Sequence, residues 1–137
     1  MSGYILDTNH LGAALDGGSP LYARILASRR QGHRLGTCGL VPCELAVGIN
    51  QTQRRESNWK ALRVFLRQIR IWPVELSTAV AYGDLYNGLK GKGRVLSQVD
   101  MMIAALARRM DLVVLTTDRD FEALPDIATE DWIHEST

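Results

Sequence analysis

No stretch of the chain carries about 18 consecutive apolar residues, so no segment is long enough to cross a bilayer as a helix. Cysteine is scarce: Cys38 and Cys43 are the only two among 137 residues. They stand across an expected strand-to-helix junction and no second Cys/His pair accompanies them. That excludes a disulfide framework and a zinc pattern, and the expectation is two reduced, mostly buried thiols in a cytoplasmic protein. The opening Met1-Ser2-Gly3-Tyr4-Ile5-Leu6-Asp7 lacks a basic region and puts an acid inside the first apolar run, which argues against a secretory signal. Low-complexity tracts, internal repeats and linker-like stretches are also missing, so one domain over residues 1–137 is expected.

Net charge is almost absent as well, at +1, but it is unevenly spread. Asp118, Asp120, Glu122, Asp126, Glu130, Asp131 and Glu135 face a single base, Arg119, after residue 117. The preceding residues carry 15 bases against eight acids. A basic body attracts a polyanion such as RNA, although any one of these bases also reads as part of a solvated helix face.

The apolar pattern alternates between strand and helix periods. Tyr4-Ile5-Leu6 reads as a strand ending at the helix-capping run Asp7-Thr8-Asn9, with a helix over about 9–15. Ser19-Pro20 opens a second helix that ends near Gly32. Residues 34–38 read as a strand, Pro42 as the opening of a helix through Ile49, and 52–69 as a long amphipathic helix. Its stripe includes Trp59 and Phe65; Trp59 and Trp72 are read as core rather than base-stacking platforms. A strand at 71–74 contains Pro73, which marks a sheet edge. Ser77 is expected to cap a helix to about Leu89 with Val80, Leu85 and Leu89 on one side, and a second helix spans 98–109. Residues 112–116 are the strongest strand, apolar throughout and so expected to be central; a turn at 118–124 and a weak strand over 127–133 follow. The alternation predicts an α/β domain with a mostly parallel sheet flanked by helices.

Ligand sites in such sheets lie outside the carboxyl ends of the strands. That rule selects Asp7 and Asp118, which follow the first and the strongest strand and stand beside Thr8, Thr116 and Thr117. Glu44 and Asp100 are the other anomalies: each sits near a helix start among apolar residues, where an acid is costly to bury unless paired or metal-bound. Each has a structural alternative, as an N-cap, a turn residue or a partner of the helix dipole. The functional reading rests on all four falling at places that can converge on one sheet edge. A set of carboxylate oxygens without His or Cys suits Mg²⁺ or Mn²⁺ rather than zinc. Converging carboxylates repel one another without a cation, and their natural use is hydrolysis of a phosphodiester, with the cation activating water and offsetting charge on the leaving oxygen.

Leu6-Asp7-Thr8-Asn9, Glu44-Leu45-Ala46-Val47-Gly48, Asp100 with Ile103-Ala104-Ala105-Leu106-Ala107, and Thr116-Thr117-Asp118-Arg119-Asp120-Phe121 together resemble the PIN-domain nucleases. Within them they are most similar to the VapC-type toxins of bacterial toxin–antitoxin systems. Each motif is weak alone; the ordered set of four covers essentially the whole chain. The resemblance implies a three-layer PIN-like domain and a Mg²⁺- or Mn²⁺-dependent endoribonuclease. It implies Asp7, Glu44, Asp100 and Asp118 as catalytic, metal-binding acids, with Asn9, Thr116 and Asp120 in support and Phe121 in packing. It further implies a homodimer and a cognate antitoxin that inserts an arm across the site and carries a DNA-binding domain. In one respect the sequence departs from the family: the hydroxyl residue that often stands just before the second acid is as far back as Thr37.

Lys92, Arg94 and Arg67 are the candidates for contacting RNA phosphates, contacts that would position RNA without reading its sequence. Two further readings stay within nucleic-acid proteins: a PIN nuclease of RNA maturation without an antitoxin, and a binding partner that does not cleave. The presence of all four acids speaks against the last. A phosphate-accepting receiver-like domain would need a lysine after a late strand, and no Lys follows Lys92.

Overall fold

A computed structural model describes residues 2–135. Five strands form one sheet: β1 (Gly3–Leu6), β2 (Arg34–Cys38), β3 (Arg70–Trp72), β4 (Val113–Leu115) and β5 (Thr129–Glu130). Their order is β3-β2-β1-β4-β5 and every pairing is parallel. Parallel neighbours need crossovers, supplied by α1 (Thr8–Ala13), α2 (Pro20–Arg30), α3 (Leu40–Asn50), α4 (Arg55–Leu66), α5 (Leu76–Gly91) and α6 (Gln98–Met110). Right-handed crossovers put α1 to α4 on one face and α5 with α6 on the other. The packing divides in the same way, α1 on α3 and α3 on α4, α5 on α6 and α6 on β1, β2 and β4. The result is the expected three-layer α/β domain.

The core is apolar where the sequence is. Ile5, Leu6, Val114 and Leu115 are fully buried on the two inner strands, as are Ile103 to Leu106 on the α6 face that covers them. β1 rather than β4 is the central strand, with β4 flanked by β1 and β5. Gly36 permits the close approach of β3. A Cβ there would stand 2.6 Å from the Arg70 carbonyl oxygen and 2.8 Å from the Trp72 ring. Trp72 is buried in the core and Trp59 packs against it, with the Trp59 indole N–H donating to Asn50 Oδ1 at 3.1 Å. Phe121 is buried, in keeping with a packing role.

Several local expectations are corrected. α3 begins at Leu40, with Pro42 inside the first turn, where its missing N–H costs nothing. The long helix is confined to Arg55–Leu66, because residues 51–54 form turns. Glu75, not Ser77, is the N-cap of α5, in a reciprocal pair of bonds with Thr78. That sets the buried face as Thr78, Ala81, Leu85 and Leu89 and leaves Val80 on the outside. The last strand shrinks to Thr129–Glu130. Cys38 is buried and burial raises its thiol pKa, but Cys43 is exposed on the outer side of α3.

Candidate metal centre

β1 is the point at which the strand order reverses: β2 and β3 build to one side of it, β4 and β5 to the other. The crevice beyond the carboxyl ends of β1 and β4 is therefore the place where the fold offers a site. The register pairs Leu6 with Leu115, and the ladder continues one step further as the Asp7 N–H donates to the Leu115 carbonyl at 3.0 Å. Asp7 thus emerges opposite Thr116. α6 brings Asp100 in from above, three residues after its N-cap Ser97, whose Oγ accepts the Asp100 N–H at 3.1 Å. One carboxylate oxygen from each of Asp7, Asp100 and Asp118 lies within 4.8 Å of the others.

Two of these acids also satisfy the structural alternative. Asp7 caps α1, accepting the Thr8 N–H at 2.7 Å. Asp118 caps the 3-10 turn at Arg119–Ala123, accepting the Asp120 N–H at 2.8 Å. Capping uses one oxygen and fixes the direction of the other, so a cap and a ligand are compatible at the same residue.

Asp7 is the deeply buried member; the Thr8 N–H takes its Oδ1, and its side-chain partners are arranged around Oδ2. The Thr116 hydroxyl donates to Asp7 Oδ2 at 2.7 Å, and the Asn9 amide nitrogen stands 3.3 Å from the same atom. The Thr116 oxygen also accepts the Asp118 N–H at 2.9 Å, so one hydroxyl ties two of the acids together. Asn9 Oδ1 accepts the Thr117 N–H at 3.2 Å. Asn9 and Thr116 therefore both stand in hydrogen-bond contact with Asp7. Asp120 contributes through its backbone N–H, while its side chain is exposed.

The electrostatics are those of a site short of positive charge. Burial, and then the neighbouring Asp118 and Glu44, push the Asp7 carboxyl up, against the pull of its hydrogen bonds from Thr116 and Thr8. Asp100 is pushed up to about 6, by burial first and by the Asp7 charge second. A divalent cation among these oxygens would reverse both shifts, and an all-carboxylate donor set suits a hard, oxygen-seeking ion. By this test the residues fit such an ion.

Glu44 differs from the other three. It is exposed on α3, not enclosed among apolar neighbours, and it is not part of the close set of three. It faces the site from across α1, where its Oε1 accepts a short hydrogen bond from the Thr8 hydroxyl. That bond also answers the departure noted in the sequence. Thr37 is buried and donates to the Leu6 carbonyl at 2.8 Å, so the hydroxyl serving the second acid comes from Thr8 instead.

The basic candidates separate. Lys92 stands beside the segment that follows Asp118, its Nζ 3.4 Å from the Ala123 carbonyl oxygen, and it shares with Arg94 the loop leading to α6 and Asp100. Arg67 ends α4 and lines a cleft with Arg29, His33 and Arg70 at the amino ends of β2 and β3, the opposite end of the sheet from the acids. Sequence reasoning missed His10, which is fully buried with its Nδ1 2.7 Å from Asn9 Oδ1. The one available signal was a histidine adjoining the first acidic motif.

Known proteins resemble this chain in sequence and in fold over most of its length. The Ribonuclease VapC2 of Rickettsia felis is 25% identical over 130 residues, 94% of this chain and 97% of the relative. The tRNA(fMet)-specific endonuclease VapC of Shigella flexneri is 31% identical over 90 residues, 65% of this chain and 68% of the relative. Among solved structures, VapBC2 from Rickettsia felis, bound to a DNA fragment from its promoter, superposes with a TM-score of 0.84 at 25% identity, covering 95% of this chain and 98% of that one. DNA-bound VapBC from Salmonella typhimurium gives 0.84 at 26% identity, with 96% and 99% covered. The family model for the PIN domain matches residues 4–127, nearly the whole sequence, and the chain belongs to the PIN domain family.

Proposed function

We propose that this chain is a metal-dependent endoribonuclease that hydrolyses RNA phosphodiesters, a single PIN nuclease domain over residues 1–137 acting as the toxin of a toxin–antitoxin pair. The observation that carries the reading is the convergence of Asp7, Asp100 and Asp118 oxygens within 4.8 Å at the switch point of a parallel sheet. Ribonuclease and endonuclease names among its relatives, and toxin–antitoxin complexes among its structural neighbours, support the substrate and the setting.

Asp7, Asp100 and Asp118 hold the ion directly in this reading, which is Mg²⁺ or Mn²⁺ by the chemistry of its donors. When bound there, it supplies the positive charge that activates water and stabilises the leaving oxygen. Glu44, at the open side, orients water or a second ion near the scissile phosphate. The Thr116 hydroxyl favours the charged form of Asp7 against its burial, and Asn9 helps to aim the carboxylate. Lys92 and Arg94 receive phosphates of the RNA as it passes the acids.

The partner side of the proposal rests on a cleft of about 820 Å³ between α1, α3 and α4. Leu15, Leu45 and Ile49 line it together with Thr8 and Glu44. A segment of a cognate antitoxin lying in it would reach the acids directly. We place the chain in the cytoplasm as a homodimer. Among the described residues, no helix is long and apolar enough to cross a membrane.

The test is cleavage of a fluorogenic RNA by the purified chain, free of antitoxin, in Mn²⁺ or Mg²⁺. Cleavage that disappears with EDTA and with Asp7→Asn is the expected result. Cleavage that survives either control would sink the carboxylate–metal mechanism.

A further inference from the structure

His10 is a fully buried titratable side chain for which the nuclease reading has no use. We propose that His10 is a positioning residue for the metal centre: it fixes the orientation of the Asn9 amide and couples that amide to the backbone of the C-terminal segment at Trp132. The inference rests on the reading that the acids hold a divalent cation.

The hydrogen-bond pattern determines which ring nitrogen carries the proton. The Trp132 backbone N–H donates to His10 Nε2 at 3.0 Å, so Nε2 is the acceptor and is unprotonated. Burial lowers the pKa of the imidazole to about 4, against the opposing pull of Asp131, so the ring is neutral at physiological pH. The charged and titratable groups that face it are Asp131, His134 and Arg24. A neutral ring with a free Nε2 carries its hydrogen on Nδ1. Nδ1 lies 2.7 Å from Asn9 Oδ1 and therefore donates to it.

Asn9 Oδ1 then receives two donors, His10 Nδ1–H and the Thr117 N–H at 3.2 Å. With its oxygen held this way, the amide nitrogen must face the site, 3.3 Å from Asp7 Oδ2 and 3.4 Å from Thr116 Oγ1. The reversed amide would set N–H against N–H at both partners of Oδ1. Contacts at 3.3–3.4 Å are long, so they set direction more than strength. The relay runs from Trp132 N–H to His10, to Asn9, to Asp7. Trp132 itself is anchored, its ring packed on Tyr4 and covered by the Arg24 guanidinium at 4.1 Å.

Two isosteres separate positioning from packing. In His10→Asn the amide nitrogen takes the place of Nδ1, keeping the donor to Asn9 and losing the acceptor for Trp132. In His10→Gln the amide oxygen takes the place of Nε2, keeping the Trp132 bond and losing the donor to Asn9. Mn²⁺ affinity is read by calorimetry on the intact chain, with thermal unfolding alongside. His10→Gln is expected to weaken Mn²⁺ binding about tenfold, the lower end of the loss for outer-shell partners, and His10→Asn to stay within about twofold of wild type. Equal affinity in His10→Gln and wild type overturns the proposal, and so do equal losses in both variants that track their melting temperatures. The ¹⁵N shifts of His10 in the wild-type protein test the relay without any metal: a protonated Nδ1 is expected, and a protonated Nε2 overturns it. A wild-type chain that shows this tautomer yet binds no Mn²⁺ overturns the metal reading and, with it, the coupling to a metal centre.

Discussion

Thr116→Val removes one hydroxyl and leaves shape and β-branching unchanged. In the metal-free protein that hydroxyl donates to the buried Asp7 carboxylate at 2.7 Å and accepts the Asp118 N–H at 2.9 Å. A hydrogen bond to a charged group contributes about 1.5–3 kcal/mol. Asp7 would retain the Thr8 N–H at 2.7 Å and the long Asn9 contact at 3.3 Å, and the part-exposed Asp118 N–H can turn to water, so the loss falls in the lower half of that range, about 2 kcal/mol. For a domain of this size that is a drop in Tm of about 7 °C. The assay is urea and thermal unfolding in EDTA, where ion binding cannot contribute. A second background identifies the cause. With Asp7→Asn the acceptor is a neutral amide oxygen and the bond is about half as strong, so Thr116→Val should then cost only about 1 kcal/mol. Equal losses in the two backgrounds would show that the hydroxyl does not act through the Asp7 charge, and a loss under about 0.5 kcal/mol in the wild type would place it with ordinary surface substitutions.

Asp100 makes the pH response of the free and metal-bound proteins opposite in sign. Its carboxyl is pushed up to about 6 in the folded chain and returns to the ordinary aspartate value of 3.8 on unfolding, so between the two the native state binds the extra proton. In EDTA, acidification through pH 6 should stabilise wild type relative to Asp100→Asn; in Mn²⁺ the proton competes with the ion, and affinity should fall about tenfold by pH 5, read by calorimetry. Gly36→Ala should lower Tm sharply, with a cost of about 1–3 kcal/mol, because the new Cβ meets the Arg70 carbonyl rather than a flexible side-chain end. The variant Lys92→Glu/Arg94→Glu should weaken RNA binding and flatten its dependence on salt, read by fluorescence anisotropy. Arg67→Glu should leave binding of a short RNA at the acids unchanged, since it stands at the other end of the sheet.

Much of this arrangement was legible because the chemistry and the strand ends coincide in the sequence. Asp7 and Asp118 follow short continuous apolar runs of β-prone residues, and the rule for parallel sheets selects them without knowledge of which strands are neighbours. Asp100 could be chosen only as an acid in an apolar helix, and the same reasoning misjudged Glu44, which the turn of α3 leaves exposed. Pattern alone does not distinguish the two, since each acid lies near a helix start, and tertiary packing of α6 over the sheet decides. Helix ends were the least legible. Glu75 is not a common cap, and its partner Thr78 completes a box whose polarity reverses the usual order of hydroxyl and acid. His10 was invisible for a different reason: its role lies in two hydrogen bonds, one to an adjacent side chain and one to a backbone 122 residues away.

The topology explains how such a costly cluster is tolerated. Asp7 and Thr116 are 109 residues apart, yet the pairing of Leu6 with Leu115 fixes them side by side. With helices on both faces, a slip of one residue would exchange the two layers and set Leu6 and Leu115 into the space shaped for Ile5 and Val114, so the close packing of these fully enclosed side chains also enforces the register of the site. The cost of gathering carboxylates falls beyond the last strand residues, where a cation can offset it, while the stabilising apolar layer begins one residue below. A substitution that loosens Leu6 or Leu115 should therefore weaken metal binding as well as stability. Removing the Asp7 charge should weaken metal binding while relieving both the burial cost of that charge and the repulsion that, after burial, raises Asp100, so the metal-free protein becomes more stable as it loses its site.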